Sequence, residues 1–311
     1  MLKSVDPAKI MLVVILLLFD PDHQTNSINI ALGFPQNHDK PAIIMSNKYH
    51  ESKDHDSNNP DLWHHESKYH DRSYADSKYP DRSYADSNLH DSKYRTRLYL
   101  SSRTRKAVKP DFILEDITIT DASLHHALEE EGFIFGQELV VVIHGFKQNG
   151  TSLNDIRTGY LNRTDSNILL VDWSDLSHKS RYDKVAGNIS SVAFDTSNAI
   201  NRLFRIDFIG RLHLIGFSLG AQICGLMRQY LTRDIDRITA LDPARPGFDS
   251  LPDDQKLTSD DSAFTLVIHT SGNILSFADP IGHADFYPNG GMIPQPGCAT
   301  DIISGLVCSH G

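Results

Sequence analysis

The sequence predicts an α/β fold with a mostly parallel central sheet, on three observations. Residues 137–146, 167–174 and 211–217 form three apolar runs rich in valine, isoleucine and leucine. Such runs are typical of strands that are buried on both faces of a parallel sheet. Stretches with the apolar spacing of helices separate them, and strands that alternate with helices predict parallel pairing. In such a sheet the functional cleft lies at the carboxyl ends of the strands.

The remaining elements continue this alternation. Apolar spacing from Val185 to Phe204 predicts one helix, and residues 218–231 predict another directly behind the third run. Alternating or continuous apolar residues predict four more strands, at 97–102, 117–121, 237–243 and 263–270.

The N-terminus has the pattern of an export signal. Lys3 and Lys9 precede an apolar run from Ile10 to Phe19. This run is too short for a bilayer, which needs about 20 residues, but it fits the apolar core of a signal peptide. We therefore expect a signal peptide over residues 1–22 and a secreted, extracellular protein. An uncleaved anchor and a misassigned start codon are the alternatives.

Three N-x-[ST] triplets fit an export route. They are acceptor sites for N-linked glycosylation, at Asn149, Asn162 and Asn188.

Residues 23–94 are of low complexity. The segment "SKYHDRSYAD" (67–76) is followed directly by "SKYPDRSYAD" (77–86), and aliphatic residues are scarce around this repeat. A ten-residue unit without an apolar face cannot offset its ordering entropy by burial, so we expect disorder. The histidines of the segment offer loose metal binding, but a solvated spacer is the favoured interpretation.

Composition limits the possible partners. The 311-residue chain has a formal net charge of −10, which argues against a nucleic-acid partner. Its three cysteines allow one disulfide and one remaining thiol.

The segment "GFSLG" (216–220) predicts a nucleophile elbow. Glycines lie two residues before and after Ser218, between a predicted strand and a predicted helix. In such an elbow a sharp turn presents the serine hydroxyl above the sheet, and the helix N-terminus favours developing negative charge. The alternative is a structural serine in a strand–helix turn.

A serine nucleophile needs a base and an orienting acid, which follow it in the order Ser, Asp or Glu, His in this type of site. Asp242 ends the strand at 237–243, where the acid belongs, whereas Asp236 and Asp249 flank that strand. The histidines that follow Asp242 are His269, His283 and His310, and their spacing does not choose the base.

An oxyanion hole needs two backbone N–H groups. Leu219, directly after the serine, supplies one, and Phe146, after the strand that ends in His144-Gly145, supplies the other.

With these motifs the chain resembles the pancreatic lipase family of α/β hydrolases. The matching segments follow the family order across roughly residues 95–311: "VVVIHGF", "LLVDWS", "LIGFSLGAQICG", "ITALDPARPGF", "VIHTSG", "IGHADFYPNGG", "QPGC" and "CSHG". They are most similar to those of the arthropod members, which include phospholipase A1-like enzymes. The resemblance implies an α/β-hydrolase domain over residues 95–311 and carboxylic ester hydrolase activity on lipids.

The resemblance also implies the role of each site residue. Ser218 matches the nucleophile, Asp242 the acid and His310 the base, with oxyanion donors at Phe146 and Leu219. His283 matches a residue outside this triad.

A disulfide is implied between Cys298 and Cys308, closing a lid loop over the site. The segment between these cysteines and the loop at 271–282 are both short. In the family, this combination accompanies phospholipase A1 activity, because a small lid leaves room for a charged head group. Neutral-lipid lipase activity and a non-catalytic lipid-binding or storage role are the alternatives.

The chain departs from the family in three places. Phe217 stands where many members carry histidine, and Thr258 replaces an expected carboxylate in the calcium loop at Asp253–Asp261, so we predict no metal and no cofactor. The chain ends one residue after His310, whereas family members continue, so we expect a truncated domain whose base lies on a fraying end. The expected partner is a lipid or phospholipid at a membrane or micelle surface, and the oligomeric state is left open.

Overall fold

The computed structural model describes residues 95–103, 121–206, 209–298 and 302–311. The signal peptide expected at 1–22 and the repeat region expected at 23–94 lie outside these ranges, as does almost all of the strand expected at 117–121. Within them, no helix has both the length and the apolar character needed to cross a membrane.

The domain is built on a seven-stranded sheet in the order β1-β3-β2-β4-β5-β6-β7. Only β1 pairs antiparallel with its neighbour, and the other pairs are parallel, as predicted. The strands are β1 (Arg97–Ser101), β2 (Leu139–Ile143), β3 (Asn167–Asp172), β4 (Leu212–Phe217), β5 (Arg237–Leu241), β6 (Phe264–Ile268) and β7 (Ala284–Phe286).

Helices cover both faces of this sheet. They are α1 (Asp121–Glu130), α2 (Asn154–Arg163), α3 (Ser174–Lys179), α4 (Tyr182–Ala186), α5 (Ile189–Arg205), α6 (Leu219–Met227) and α7 (Ile302–His310). Three short 3₁₀ turns lie at Asp253–Gln255, Ser259–Asp261 and Pro288–Gly291.

Strand β2 explains why the apolar runs are continuous. All five of its residues are buried. Val141 belongs to the core beneath α5 and α6, whereas Val140 belongs to the core on the other face, beneath α2. Because successive side chains point to opposite faces, a strand covered on both sides needs apolar residues at every position.

The structure differs from the sequence prediction at one helix. The stretch from Val185 to Phe204 is not one helix, because α4 ends at Ala186 and α5 begins at Ile189. Gly187 lies between them, and the side-chain amide of Asn188 donates to the Lys184 carbonyl at 2.7 Å. This local bond accompanies the end of α4. The second helix, α5, then begins and carries a stripe of buried apolar residues.

A segment expected as a loop is also regular. The described part of the segment between Cys298 and Cys308 is the beginning of helix α7 rather than a loop. In addition, residues 284–286 form the short strand β7, which pairs with β6 and which the sequence did not predict.

The register of the parallel strands brings their carboxyl ends together. Phe217 is paired with Leu241, and Leu241 with Ile268, so the residues that follow these strands stand side by side at one edge of the sheet.

Candidate active site

Ser218 occupies a sharp turn between β4 and α6. Its backbone is left-handed, with φ 55° and ψ −117°, and its carbonyl oxygen accepts from the N–H of Ala244 at 3.2 Å. A Cβ on Gly216 would lie 2.5 Å from the backbone nitrogen of Ala221, and one on Gly220 would lie 2.6 Å from the carbonyl oxygen of His144. The two glycines are therefore required by the close approach of backbone on both sides of the serine.

Asp242 lies next to this turn, at the end of β5. It is 2% exposed and also has a positive φ, of 45°. Burial would raise the pKa of its carboxyl, but the hydrogen bond and charge of His310, with hydrogen bonds from serines, hold that pKa below its usual value. The acid is therefore ionised at neutral pH.

His310 connects the serine to the acid from the last residue of helix α7. Its Nε2 lies 2.8 Å from Oγ of Ser218, and its Nδ1 lies 2.5 Å from Oδ2 of Asp242. Because Asp242 is ionised, we assign the proton to Nδ1, which leaves Nε2 to accept from the serine hydroxyl. The ring of Phe217 packs against the imidazole of His310, with 4.9 Å between the ring centroids.

The other two histidines after Asp242 lie elsewhere in hydrogen-bond networks of their own. His269 is fully buried, with Nε2 2.8 Å from Asp285 and Nδ1 2.7 Å from the carbonyl oxygen of Phe277. His283 accepts from the backbone N–H of Thr265 at 3.0 Å. Neither is brought to Ser218, and of these three histidines it is His310 that contacts the serine.

The loop after β2 approaches the serine from the other side. A Cβ on Gly145 would lie 3.0 Å from Cβ of Ser218, so Phe146 follows directly after the closest approach. Leu219 is the first residue of α6 and is fully buried. Both residues expected to donate to an oxyanion thus flank Ser218.

Trp173 fixes this loop. Its indole N–H donates to the carbonyl oxygen of His144 at 2.9 Å, and the two rings stack with centroids 5.1 Å apart. The backbone N–H of Gly145 donates to the side chain of Gln148 at 2.9 Å. Hydrogen bonds from two directions therefore hold the strand end in one conformation.

The helix that carries His310 is fastened to the rest of the domain. Cys298 and Cys308 form a disulfide, and Oγ of Ser309 accepts from the backbone N–H of Gln295 at 2.9 Å. The third cysteine, Cys224, is a buried free thiol in α6.

Two carboxylates of the acidic loop at Asp253–Asp261 have partners within the protein. The carboxylate of Asp261 accepts from the backbone N–H of Thr258 at 2.7 Å, and Asp253 pairs with Lys256 at 3.2 Å. Across the residues that the structure describes, no three His, Cys, Asp or Glu side chains group as metal ligands. Two of the four carboxylates of this loop therefore have partners within the protein.

The three glycosylation candidates all lie at the surface. Asn149, Asn162 and Asn188 are exposed, at the loop after β2, near the end of α2 and before α5.

Sequence reasoning missed Ser271, which lies beyond β6. Its hydroxyl donates to Oδ2 of Asp242, and it is fully buried. A serine shortly after a strand carries no pattern of its own, and the available signals were its place in the matching segment "VIHTSG" and its position at the same sheet edge as Asp242.

Comparisons with known proteins agree with this architecture. The family model described as Lipase matches residues 87–311. Lipase member H-A of Xenopus laevis is 35% identical over 181 residues, which are 56% of this chain and 39% of that protein. Phospholipase A1 member A of Rattus norvegicus is 31% identical over 216 residues, which are 65% of this chain and 46% of that protein.

The chain spans less than half the length of these curated relatives. The family model nevertheless covers the whole of the sheet and the residues around Ser218. The chain therefore belongs to the lipase family, the pancreatic lipase family of the α/β-hydrolase fold.

Proposed function

We propose that this protein is a secreted serine hydrolase that cleaves carboxylic esters of lipids, with phospholipase A1-type selectivity. The observation that carries the proposal is the continuous chain of hydrogen bonds from Ser218 through His310 to Asp242, at 2.8 Å and 2.5 Å. A buried acid, an imidazole of defined tautomer and a serine in a strained turn are the parts that acyl transfer needs.

The first half-reaction forms an acyl-enzyme. Oγ of Ser218 attacks the ester carbonyl carbon while Nε2 of His310 takes the hydroxyl proton. Asp242 stabilises the imidazolium through Nδ1–H. The backbone N–H groups of Leu219 and Phe146 donate to the oxyanion, and collapse of the intermediate expels the alcohol, which receives the proton from Nε2.

The second half-reaction releases the fatty acid. Water enters, gives a proton to Nε2 of His310 and attacks the acyl carbon, and Oγ of Ser218 leaves and regains the proton.

Two observations support a phospholipid substrate. The described residues between Cys298 and Cys308 form a short helix, which leaves no long lid. A relative with 31% identity carries the name phospholipase A1 member A. A neutral-lipid lipase is the second candidate, because the same acyl chemistry serves triacylglycerol.

Secretion is supported by the disulfide and the exposed acceptor asparagines. Disulfides persist in oxidising compartments, and glycosylation occurs along the export route. The apolar run from Ile10 to Phe19 supplies the signal.

The test is hydrolysis of phosphatidylcholine vesicles with different acyl chains at the two glycerol positions. We expect release of the chain at the first position, slower cleavage of triacylglycerol emulsions, and labelling by a fluorophosphonate probe. Ser218→Ala is expected to abolish release and labelling. Vesicle binding without turnover in the wild type, with equal probe labelling of Ser218→Ala, would favour the non-catalytic lipid-binding role instead.

A further inference from the structure

Ser271 touches both members of the acid–base pair, yet the mechanism above does not use it. Its side chain is fully buried. Its hydroxyl donates to Oδ2 of Asp242, and the same Oγ lies 3.2 Å from Nδ1 of His310.

Ser271 also contacts the second oxygen of the acid. Its backbone N–H donates to Oδ1 of Asp242 at 3.0 Å, beside the N–H of Thr270 at 2.6 Å. A carboxylate rotates in a broad well about its last torsion, so one donor leaves its plane poorly fixed. Donors on both oxygens fix that plane and direct Oδ2 at Nδ1 of His310.

If the role of Ser271 were purely structural, its hydroxyl would form hydrogen bonds to the loop after β6. That loop is fastened by a different atom, because the carbonyl oxygen of Ser271 accepts from the backbone N–H groups of Leu275 and Ser276, both at 3.3 Å. Removal of the hydroxyl leaves these bonds in place. Its partners are the acid and the imidazole, not the loop.

We propose that Ser271 is a positioning residue that orients the Asp242 carboxylate, and through it His310, for proton transfer from Ser218. The inference rests on the proposed function for its kinetic consequence, although the orientation itself is independent of turnover. With the hydroxyl absent, the Asp242 carboxylate keeps the backbone donors on Oδ1 and the hydrogen bond of Ser276 but loses the Ser271 donor on Oδ2. Its plane is then fixed less firmly, and the fraction of enzyme with an aligned imidazole falls.

The experiment compares the full chain with Ser271→Ala, Ser271→Thr and the matched control Ser197→Ala. Ser197 is also fully buried, and its hydroxyl donates to the Met227 carbonyl at the far end of α6. For Ser271→Ala we expect kcat to fall by about 10- to 100-fold with KM unchanged, since misalignment affects the transition state and not binding. Ser271→Thr, which keeps the hydroxyl, is expected to recover most of kcat, and Ser197→Ala is expected to retain the wild-type value.

A second readout does not depend on turnover. The Nδ1–H proton of His310 gives a downfield NMR signal, which is assigned by its loss in His310→Asn. In Ser271→Ala this signal is expected to shift and broaden, and in Ser197→Ala to stay in place. If the wild type hydrolyses no ester but this shift occurs, the proposed function fails and the positioning role stands.

Two results would overturn the inference. One is an unchanged Nδ1–H signal in Ser271→Ala with kcat near the wild-type value. The other is a kcat loss in Ser271→Ala that matches its loss of folded protein, with no recovery in Ser271→Thr.

Discussion

Cys298 is joined by a disulfide to Cys308, and this bond lies two residues before His310 in helix α7. Close to the imidazole, the backbone N–H of Gln295 also donates to Oγ of Ser309 in this helix. A covalent bond at the surface thus holds the element that supplies the candidate base.

Reduction of this disulfide is expected to lower activity. A general base must stay within about 2.6–3.2 Å of its nucleophile, and loss of the disulfide removes a covalent restraint on the helix that carries His310. We expect ester hydrolysis to fall at least about tenfold in reductant and to recover on oxidation. The measurement is hydrolysis of a short-chain ester before and after treatment.

Cysteine variants identify the bond responsible. Cys298→Ser with Cys308→Ser is expected to be slow and insensitive to reductant. Cys224→Ser is expected to keep the wild-type response, because burial raises the pKa of that thiol and keeps it protonated. Full activity of the reduced wild type would show that α7 stays in place without the disulfide.

Gly220→Ala is expected to destabilise the domain strongly. The new methyl group would lie 2.6 Å from the carbonyl oxygen of His144, a backbone atom that cannot rotate away. Overpacking costs about 1–3 kcal/mol in ordinary cores, and we expect the upper end here. The measurement is the free energy of unfolding in urea, with Gly187→Ala as control, because its methyl group meets nothing nearer than 3.4 Å. Equal stability of the two variants would contradict the close approach at the elbow.

The elements that sequence predicted well are those with strong local patterns. The buried strands follow from unbroken apolar runs, because both faces are covered. Ser218 and Asp242 follow from their positions at strand ends, which the parallel register brings together. These features are encoded within about ten residues of chain each.

The features that were missed depend on distant contacts. The identity of the base was open until the family resemblance, because spacing alone does not choose among His269, His283 and His310. Strand β7 has only three residues and exists because β6 offers a free edge. Ser271 matters through two partners that lie 29 and 39 residues away in sequence, and no local pattern records such contacts.

The stability of the domain is expected to depend on Asp261. Burial raises the pKa of its carboxyl to about 7, in spite of hydrogen bonds from Thr258 that favour the ionised form. Because the pKa of Asp261 is higher in the folded state than in the unfolded state, its contribution to the free energy of unfolding is fully present below pH of about 4. That contribution is lost as pH rises towards 7. The measurement is the free energy of unfolding between pH 4 and 8, where Asp261→Asn is expected to show a smaller decline than the wild type. Parallel curves for the two proteins would mean that Asp261 is ionised throughout.

Asp242 and Asp285 each pair with a histidine, His310 and His269 respectively, and the same substitution is expected to separate the roles of these two pairs. Asp242→Asn should lower kcat by about 10⁴-fold, because the amide disturbs the tautomer of His310. Asp285→Asn should leave the kcat of the folded protein near the wild-type value and lower the free energy of unfolding by about 3 kcal/mol, because the amide disrupts the buried pair that Asp285 forms with His269. The measurements are ester hydrolysis well below the melting temperature and urea unfolding of both variants. If Asp285→Asn is folded and as inactive as Asp242→Asn, the proposal that the acid role belongs to the Asp242–His310 pair is contradicted.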